Sequence, residues 1–310
     1  MTAYVSLGRL GRLAVLPLCI ALSAGGGCSR GRPAEAAVSA DPQVLAQRKT
    51  WRAQQDQQMR GELSPLSRID AIDLLDGEHQ LGGELALPAD ALPKDLGEVR
   101  LTVERAAARV ALSAQPPVRK NGELVSAATL ARGDVLMVGR LRLMLTGKPP
   151  APLLAIYDPR APARLGYRAL RYFPDDERYV VRAALARYPS PRAVQLEASR
   201  GEPKDMTALG ILRFTVAGVA CSMEAYLEAP GSDELFLVFR DQTSGQPDGS
   251  YGAGRFLYAA LLPGDQVVLD FNQAWNPLCA YSHYFHCPLP PRSNWLAVAL
   301  PVGEKSYSEP

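Results

Sequence analysis

From about Ser64 onward the chain is a succession of short apolar runs, each cut off by Gly, Pro or Asn-Gly before it reaches helical length. GELALPA, GEVRLTVERAA, RVALSAQ, DVLMVGRLRLMLTG and PLLAIYD form a first series. A second, beginning near Tyr157, runs RYVVRAALARY, GILRFTVAG, ACSMEAYLEA, ELFLVFRD, RFLYAALL, QVVLDF and WLAVAL. A strand turns successive side chains to opposite faces, so strict alternation marks a strand with one face buried. Cys221, Met223, Ala225 and Leu227 share one face of such a strand, with Ser222, Glu224 and Glu228 on the other. Arg140-Leu141-Arg142-Leu143-Met144-Leu145 alternates as plainly, and Asn121-Gly122 is a tight-turn signal. Short strands without intervening helices specify a mainly all-β chain built of sandwich or barrel layers. The 310 residues leave room for two domains. We expect two β-sandwich-like domains, over residues 63–157 and 158–310, and find no internal repeat.

The first 62 residues have another texture. Arg9 and Arg12 precede Leu13 to Ala24, an apolar run of 12 residues. Such a run is too short to span a bilayer and suits a secretory signal. Gly25-Gly26-Gly27 then leads into Cys28. The segment resembles a bacterial lipobox, with Gly25 where Leu is usual. The expectation is a signal peptide over residues 1–27 and lipidation at Cys28, giving an exported lipoprotein held on a membrane and facing the periplasm or cell exterior. An ordinary cleaved signal with Cys28 incidental is the alternative. Residues 28–62 read as a flexible tether followed by one helix, with Asp41 as cap and Pro42 at its first position. The helix has few apolar residues. It is expected to lay Trp51 against the first β-domain and to end at Gly61.

Hydrophobic residues make up 47% and charged residues 21%, as in a folded globular chain. With 34 basic and 32 acidic residues interspersed, no basic stripe points to nucleic acid as a partner. No cofactor signature is present. Tyr251-Gly252-Ala253-Gly254-Arg255 leads into a strand, whereas a phosphate-cradling loop leads into a helix. Ser244 lies in no nucleophile elbow, and His283 and His286 have no evident acid partner.

Two resemblances add to this. Val118 to Leu145, with Asn121-Gly122, Leu130, Gly133-Asp134 and Gly139, resembles the C-terminal half of a forkhead-associated β-sandwich. That family's phosphothreonine-binding Gly-Arg and Ser-x-x-His motifs are missing: Leu81-Gly82-Gly83 stands in place of the first, and no histidine occurs between His79 and His283. The likeness therefore implies a fold and no phosphopeptide site.

The C-terminal block is similar to the family catalogued as domain of unknown function 1684. Phe239-Arg240-Asp241, Thr243-Ser244-Gly245, Tyr251-Gly252-x-Gly254-Arg255, Asp270-Phe271-Asn272 and Asn276-Pro277 carry the match. It continues in Cys279-Ala280-Tyr281, Cys287-Pro288-Leu289-Pro290-Pro291, Asn294 and Gly303-Glu304-Lys305, with a weaker upstream echo in Gly61-x-x-Ser64-Pro65-Leu66 and Tyr172-Phe173-Pro174.

Arg240, Asp241, Tyr251, Arg255, Asp270 and Asn272 flank strand ends and are the candidate ligand-binding residues. Arg255 with Tyr251 suits a carboxylate or another small anion, although an Arg255–Asp pair locking loop to sheet is the simpler reading. Cys279 and Cys287 enclose seven residues, and in an oxidising compartment the expectation is a disulfide that staples this loop over the second domain. A metal site of Cys279, His283, His286 and Cys287 is the alternative, with Cys287 awkwardly adjacent to His286. Cys221 reads as a buried strand cysteine, and Cys19 leaves with the signal. The functional expectation is a non-enzymatic envelope module that binds a small ligand or another envelope protein. The alternative is a hydrolase or other enzyme using Arg240, Asp241, Tyr251 and Arg255 with Asp270 or His283.

Overall fold

The computed structural model describes residues 41–308 apart from 149, 230 and 233. The expected signal peptide, the expected tether and Cys28 lie outside the described residues. The chain is mainly β, with one long helix, α1 (Pro42–Arg60), ahead of two β units.

The first unit is an antiparallel sheet of β1 (Arg68–Asp73), β2 (Gly77–Gln80), β3 (Glu98–Glu104), β4 (Arg109–Lys120), β5 (Glu123–Leu130), β6 (Val135–Val138), β7 (Leu141–Lys148) and β8 (Ala151–Tyr157). Their order is β1-β8-β7-β6-β4-β3-β2, with β5 paired to β4. The alternation places Val99, Leu101 and Val103 of β3, Val110 and Leu112 of β4, and Leu141, Leu143 and Leu145 of β7 in one core. Asn121 and Gly122 form the β4–β5 turn, both with positive φ (50° and 93°), as a two-residue turn matching strand twist requires. The Asn121 side chain also accepts from Val135 N at 2.9 Å and donates to Asp134 Oδ1 at 2.6 Å, tying this turn to the Gly133-Asp134 turn.

GELALPA is no strand. Leu81 and Leu85 form an isolated bridge around a turn, and Pro88 opens a short 3-10 turn, so the run supplies apolar side chains without a ladder.

The second unit is a closed barrel rather than a sandwich. It comprises β9 (Val180–Leu196), β10 (Lys204–Val216), β11 (Val219–Leu227), β12 (Glu234–Phe239), β13 (Arg255–Leu262) and β14 (Gln266–Asp270). The cyclic order is β10-β11-β12-β13-β14-β9, and β9 closes it by pairing with both β10 and β14. Closure leaves no free edge, and every second residue points into a filled interior. Leu212, Phe214, Met223, Ala225, Leu237, Phe239, Leu257 and Leu269 are among those that fill it. As the sequence pattern indicated, Met223, Ala225 and Leu227 point inward, with Cys221 packed against the same core.

WLAVAL belongs to none of the barrel strands. Leu296, Val298, Leu300 and Val302 enter the barrel core as an extended plug, which runs beside the end of β12: Arg240 N donates to the Asn294 carbonyl, Leu296 N to the Arg240 carbonyl, and Gln242 N to the Val298 carbonyl. Alternation reports burial of every second side chain, and this segment achieves that without a ladder.

Helix α1 forms where expected, with the Asp41 side chain accepting from Gln43 N at 2.8 Å. Gly61 follows its last turn in an extended conformation. Its docking differs from expectation: it lies on the barrel side. Trp51 meets Tyr172 edge-on, and Met59 joins Leu66, Tyr167 and Tyr281. Arg48, only 1% exposed, donates to Asp270 Oδ2 at 2.8 Å and to both oxygens of Glu177. A helix with so few apolar residues is placed by charge, and the acidic partners lie at residues 175–177 and 270. Among the described residues no helix is long and apolar enough to cross a membrane.

Arg48→Met should leave Glu177 and Asp270 without their cation and cost about 2–4 kcal/mol, since breaking a buried pair strands the remaining charge. Urea denaturation followed by Trp fluorescence checks this, and an unchanged midpoint would show that the helix contributes nothing to barrel stability.

Candidate functional site

Of the six candidate residues, Arg255, Asn272 and Asp241 are buried. Arg255 opens β13 and is 0% exposed. Gly254, at φ +106°, permits this entry, because a Cβ there would lie 2.5 Å from the Phe239 carbonyl oxygen. One Arg255 Nη donates to Asp241 Oδ2 at 2.8 Å and to the Leu300 carbonyl at 3.0 Å. The other donates to the carbonyls of Val302 and Glu304. Asp241 Oδ1 in turn accepts from Thr243 N, Thr243 Oγ1 and Leu300 N, at 2.8, 2.6 and 3.1 Å. The guanidinium thus takes the place of a neighbouring strand for residues 300–304.

Asp270 and Asn272 serve a different contact. Asp270 caps its own 3-10 turn, accepting from Asn272 N at 3.1 Å, and receives Arg48. Asn272 accepts from Asp176 N at 2.8 Å and donates to Asp176 O at 3.1 Å, fixing the segment that holds Arg48 and Arg52. Arg240 stacks on Trp295, 4.2 Å from the ring centroid, with Arg292 on the same ring at 3.9 Å. The six residues do not converge on one concave pocket. They divide among the tail, the helix and the outer wall.

Tyr251 reaches the cysteine loop, where its hydroxyl donates to the Cys279 carbonyl at 3.4 Å. Burial, reinforced by Cys279, pushes its phenol up to about 12. Cys279 and Cys287 are free thiols, which corrects the expected disulfide. They lie against each other: Cys279 N donates to Cys287 Sγ at 3.3 Å, and the Cys287 thiol donates to Cys279 Sγ. Packing accounts for the loop without a staple. Cys279, Cys287, Trp275, Leu278 and Phe285 cover Phe236, Val238, Phe256 and Tyr226 on the barrel's outer face. The Cys287 contact holds the Cys279 thiol below its usual range against the opposing effect of burial, while Cys287 is raised. The four-ligand metal alternative is not assembled. His286 Nε2 bonds to the Glu202 carbonyl, His283 stacks on Tyr284, and among the described residues no three His, Cys, Asp or Glu are grouped to hold a metal ion.

The site that residue patterns did not single out centres on Glu304. Tyr172 bridges to Glu304, Phe173 N donates to the Gly303 carbonyl at 2.9 Å, and Lys305 N donates to the Arg171 carbonyl at 2.9 Å. Two separate motifs of the resemblance, Tyr172-Phe173 and Gly303-Glu304-Lys305, thus pair in space. Glu304, 2% exposed, accepts from Asn276 N and Asn276 Nδ2, both at 2.9 Å, and from the Tyr281 hydroxyl. Burial raises its carboxyl to about 7 against the opposing pull of Tyr281, Asn276 and Arg255. The same two segments wall a cleft of about 400 Å³, lined by Arg168–Arg171 and Glu304–Ser308. Leu170 and Tyr307 give it apolar surface, and Arg168, Arg171 and Lys305 give it positive charge. Arg171 and Lys305 both pair with Asp248.

The profile of a family described as a protein of unknown function, DUF1684, matches residues 166–305. The chain belongs to this family. Among solved structures it is similar to an uncharacterised protein of Haloarcula marismortui, determined by solution NMR. Identity is 38%, covering 46% of this chain and 78% of that one, with a TM-score of 0.39. No curated protein matches the chain. The DUF1684 region takes in the whole barrel, the tail plug, the cleft wall at residues 168–171 and the first two residues of the other wall, Glu304 and Lys305. It leaves residues 63–157 outside, where the forkhead-associated likeness remains one of turns and spacing.

Arg255→Lys should destabilise the barrel by about 2–4 kcal/mol, because one ammonium cannot serve a carboxylate and three carbonyls in fixed directions. Thermal unfolding of the two chains side by side checks it.

Glu304 yields a pH signature. An unfolded glutamate titrates near ~4.3, so between there and about 7 the folded chain holds a proton that the unfolded chain has released. Stability from this residue therefore falls as pH rises through that window and stays low above it. Glu304→Gln should flatten that decline. The readout is the slope of unfolding free energy against pH, whatever the variant's absolute stability.

Proposed function

We propose that this DUF1684 protein is an exported, lipid-anchored envelope protein whose barrel is a binding module for a small anionic ligand with an apolar part. The observation that carries the ligand reading is the composition of the cleft between residues 168–171 and 304–308. Cationic side chains stand at Arg168, Arg171 and Lys305 beside Leu170 and Tyr307, in a space of about 400 Å³, and Arg168 makes no ion pair among the described residues. Small-molecule sites combine a concave, partly apolar surface with a few placed polar groups. The reading against an enzyme is supported by the use of Arg255, Asp241, Asp270 and Asn272, whose side chains are engaged in holding the tail and the helix. The export and anchor reading rests on the sequence of residues 9–28 alone: a basic start, a short apolar run, and small residues ahead of Cys28.

Thermal shift against a panel of alkyl and aryl carboxylates and phosphates tests the first part. At least one class should raise the melting temperature of the wild-type chain, and Arg168→Glu should abolish that shift while leaving the ligand-free melt within a degree or so, as for an exposed substitution. No shift with any class, or one that survives Arg168→Glu, removes the cleft from consideration.

Cell fractionation tests the second part. Cys28→Ser should move the protein out of the membrane fraction or stall its processing, and unchanged fractionation would count against the anchor.

A further inference from the structure

The three cations of the cleft are not equally free, and the difference bears on which anion fits there. Arg171 stands on one wall and Lys305 on the other. Both reach Asp248, in the turn between β12 and β13: one Arg171 Nη donates to Oδ1 at 3.0 Å, and Lys305 Nζ donates to Oδ2. The other Arg171 Nη donates to the Ser306 carbonyl at 3.1 Å, and Ser306 N donates to the Gly249 carbonyl at 2.9 Å. These two cations tie both walls to the turn, and one carboxylate already answers them. Lys305 first, and Arg171 with it, holds the Asp248 carboxyl below its usual range.

Arg168 is placed differently. Its carbonyl accepts from Arg60, and the neighbouring Tyr167 hydroxyl donates to Asp56, so its backbone is fixed against the C-terminal end of α1. Its side chain is exposed on the cleft wall and forms no ion pair among the described residues. Glu304, buried in the opposite wall, adds a second carboxyl to that of Asp248. The cleft therefore offers an incoming anion one unanswered positive charge.

We propose that the cleft selects a monoanionic carboxylate with an alkyl or aryl tail over a dianionic phosphate, with Arg168 pairing the headgroup and Asp248 setting the selection. This rests on the anionic-ligand reading of the same cleft and narrows it to one class. A guanidinium presents a planar fork that matches the two oxygens of a carboxylate. The same fork also fits phosphate, so charge and not shape makes the distinction. One carboxylate on Arg168 leaves no charge unmatched, while Leu170 and Tyr307 offer the tail apolar surface. A phosphate dianion needs a second cation. Taking Arg171 or Lys305 would break their contacts with Asp248 and leave two negative groups side by side, which is how a site rejects the wrong ligand.

The test is isothermal titration of the full chain with octanoate and octyl phosphate, which share a tail and differ in headgroup charge. At about pH 8 an alkyl phosphate carries close to two negative charges. The wild-type chain should bind octanoate about tenfold more tightly than octyl phosphate. Asp248→Asn releases Arg171 and Lys305, and Asn tolerates the left-handed backbone there (φ 53°) as Asp does. That variant should bind octyl phosphate about tenfold more tightly than the wild type does, closing the gap. Arg168→Lys, which keeps the charge and lacks the fork, should weaken octanoate binding. Octyl phosphate binding to the wild type as tightly as octanoate, an unchanged octyl phosphate affinity in Asp248→Asn, or an unchanged octanoate affinity in Arg168→Lys would each overturn the selection while leaving the cleft an anion site. Binding of neither ligand would remove the anionic reading and this inference with it. Should Asp248→Asn fail to fold, the wild-type ratio decides by itself.

Discussion

Burying a guanidinium in a barrel core is unfavourable unless its charge is met, and the second domain is organised around meeting that of Arg255. Asp241 neutralises it, and the carbonyls of Leu300, Val302 and Glu304 accept from its two Nη groups, while Nε is buried without a partner. Those three carbonyls belong to a segment outside the barrel strands, and the arginine gives them their donor, while residues 294–298 bond to Arg240 and Gln242 and residues 303–305 to Phe173, Ala274 and Arg171. With the segment fixed, Leu296, Val298, Leu300 and Val302 seal the interior. Beyond it, Glu304 is carried to Asn276 and Tyr281, which begin the loop covering the outer wall. The inner plug and outer cover are therefore coupled through one stretch of chain.

The helix follows a similar logic with less apolar surface. Arg48 bridges Glu177 and Asp270, Arg52 pairs with Asp175 and donates to the Asn272 carbonyl at 3.3 Å, and Arg60 donates to the Arg168 carbonyl. Asn272 holds the same acidic segment from the other side. Two of the candidate residues are thus positions where an otherwise polar helix is attached, and the cleft wall at residues 168–171 lies at the helix's C-terminal end.

Much of this was legible from local pattern. Alternation in residues 221–227 and 140–145, and the Asn121-Gly122 turn, report burial and backbone geometry that depend on neighbours close in sequence. An Arg255–Asp pair was expected from charge, and the fold identifies the partner as Asp241. What could not be read was anything set by a distant partner. WLAVAL alternates like a strand, and only the fold shows that the Leu300 carbonyl at its end meets an arginine from β13. The helix's acidic partners stand more than a hundred residues away, so Trp51 was assigned to the wrong domain. Glu304 carried a signal in its motif beside Gly303, but its burial and its pairing with Tyr172 arise only once both segments meet. The cysteines were close enough in sequence to suggest a bond, yet the loop is held by apolar packing against β11–β13, and the thiols remain free.

The position of the plug within the chain sets the order in which the protein can mature. The first sheet, ending at Tyr157, has all its strands available while the barrel residues are still being added by the ribosome. The barrel strands are complete at Asp270, but their core lacks four apolar side chains, and Arg255 lacks three of its acceptors, until residues 296–304 have emerged. A barrel without that segment would carry an unfilled interior and a half-matched cation, an exposed-core state of the kind prone to aggregation. The arrival of residues 296–304 is thus what fills the barrel.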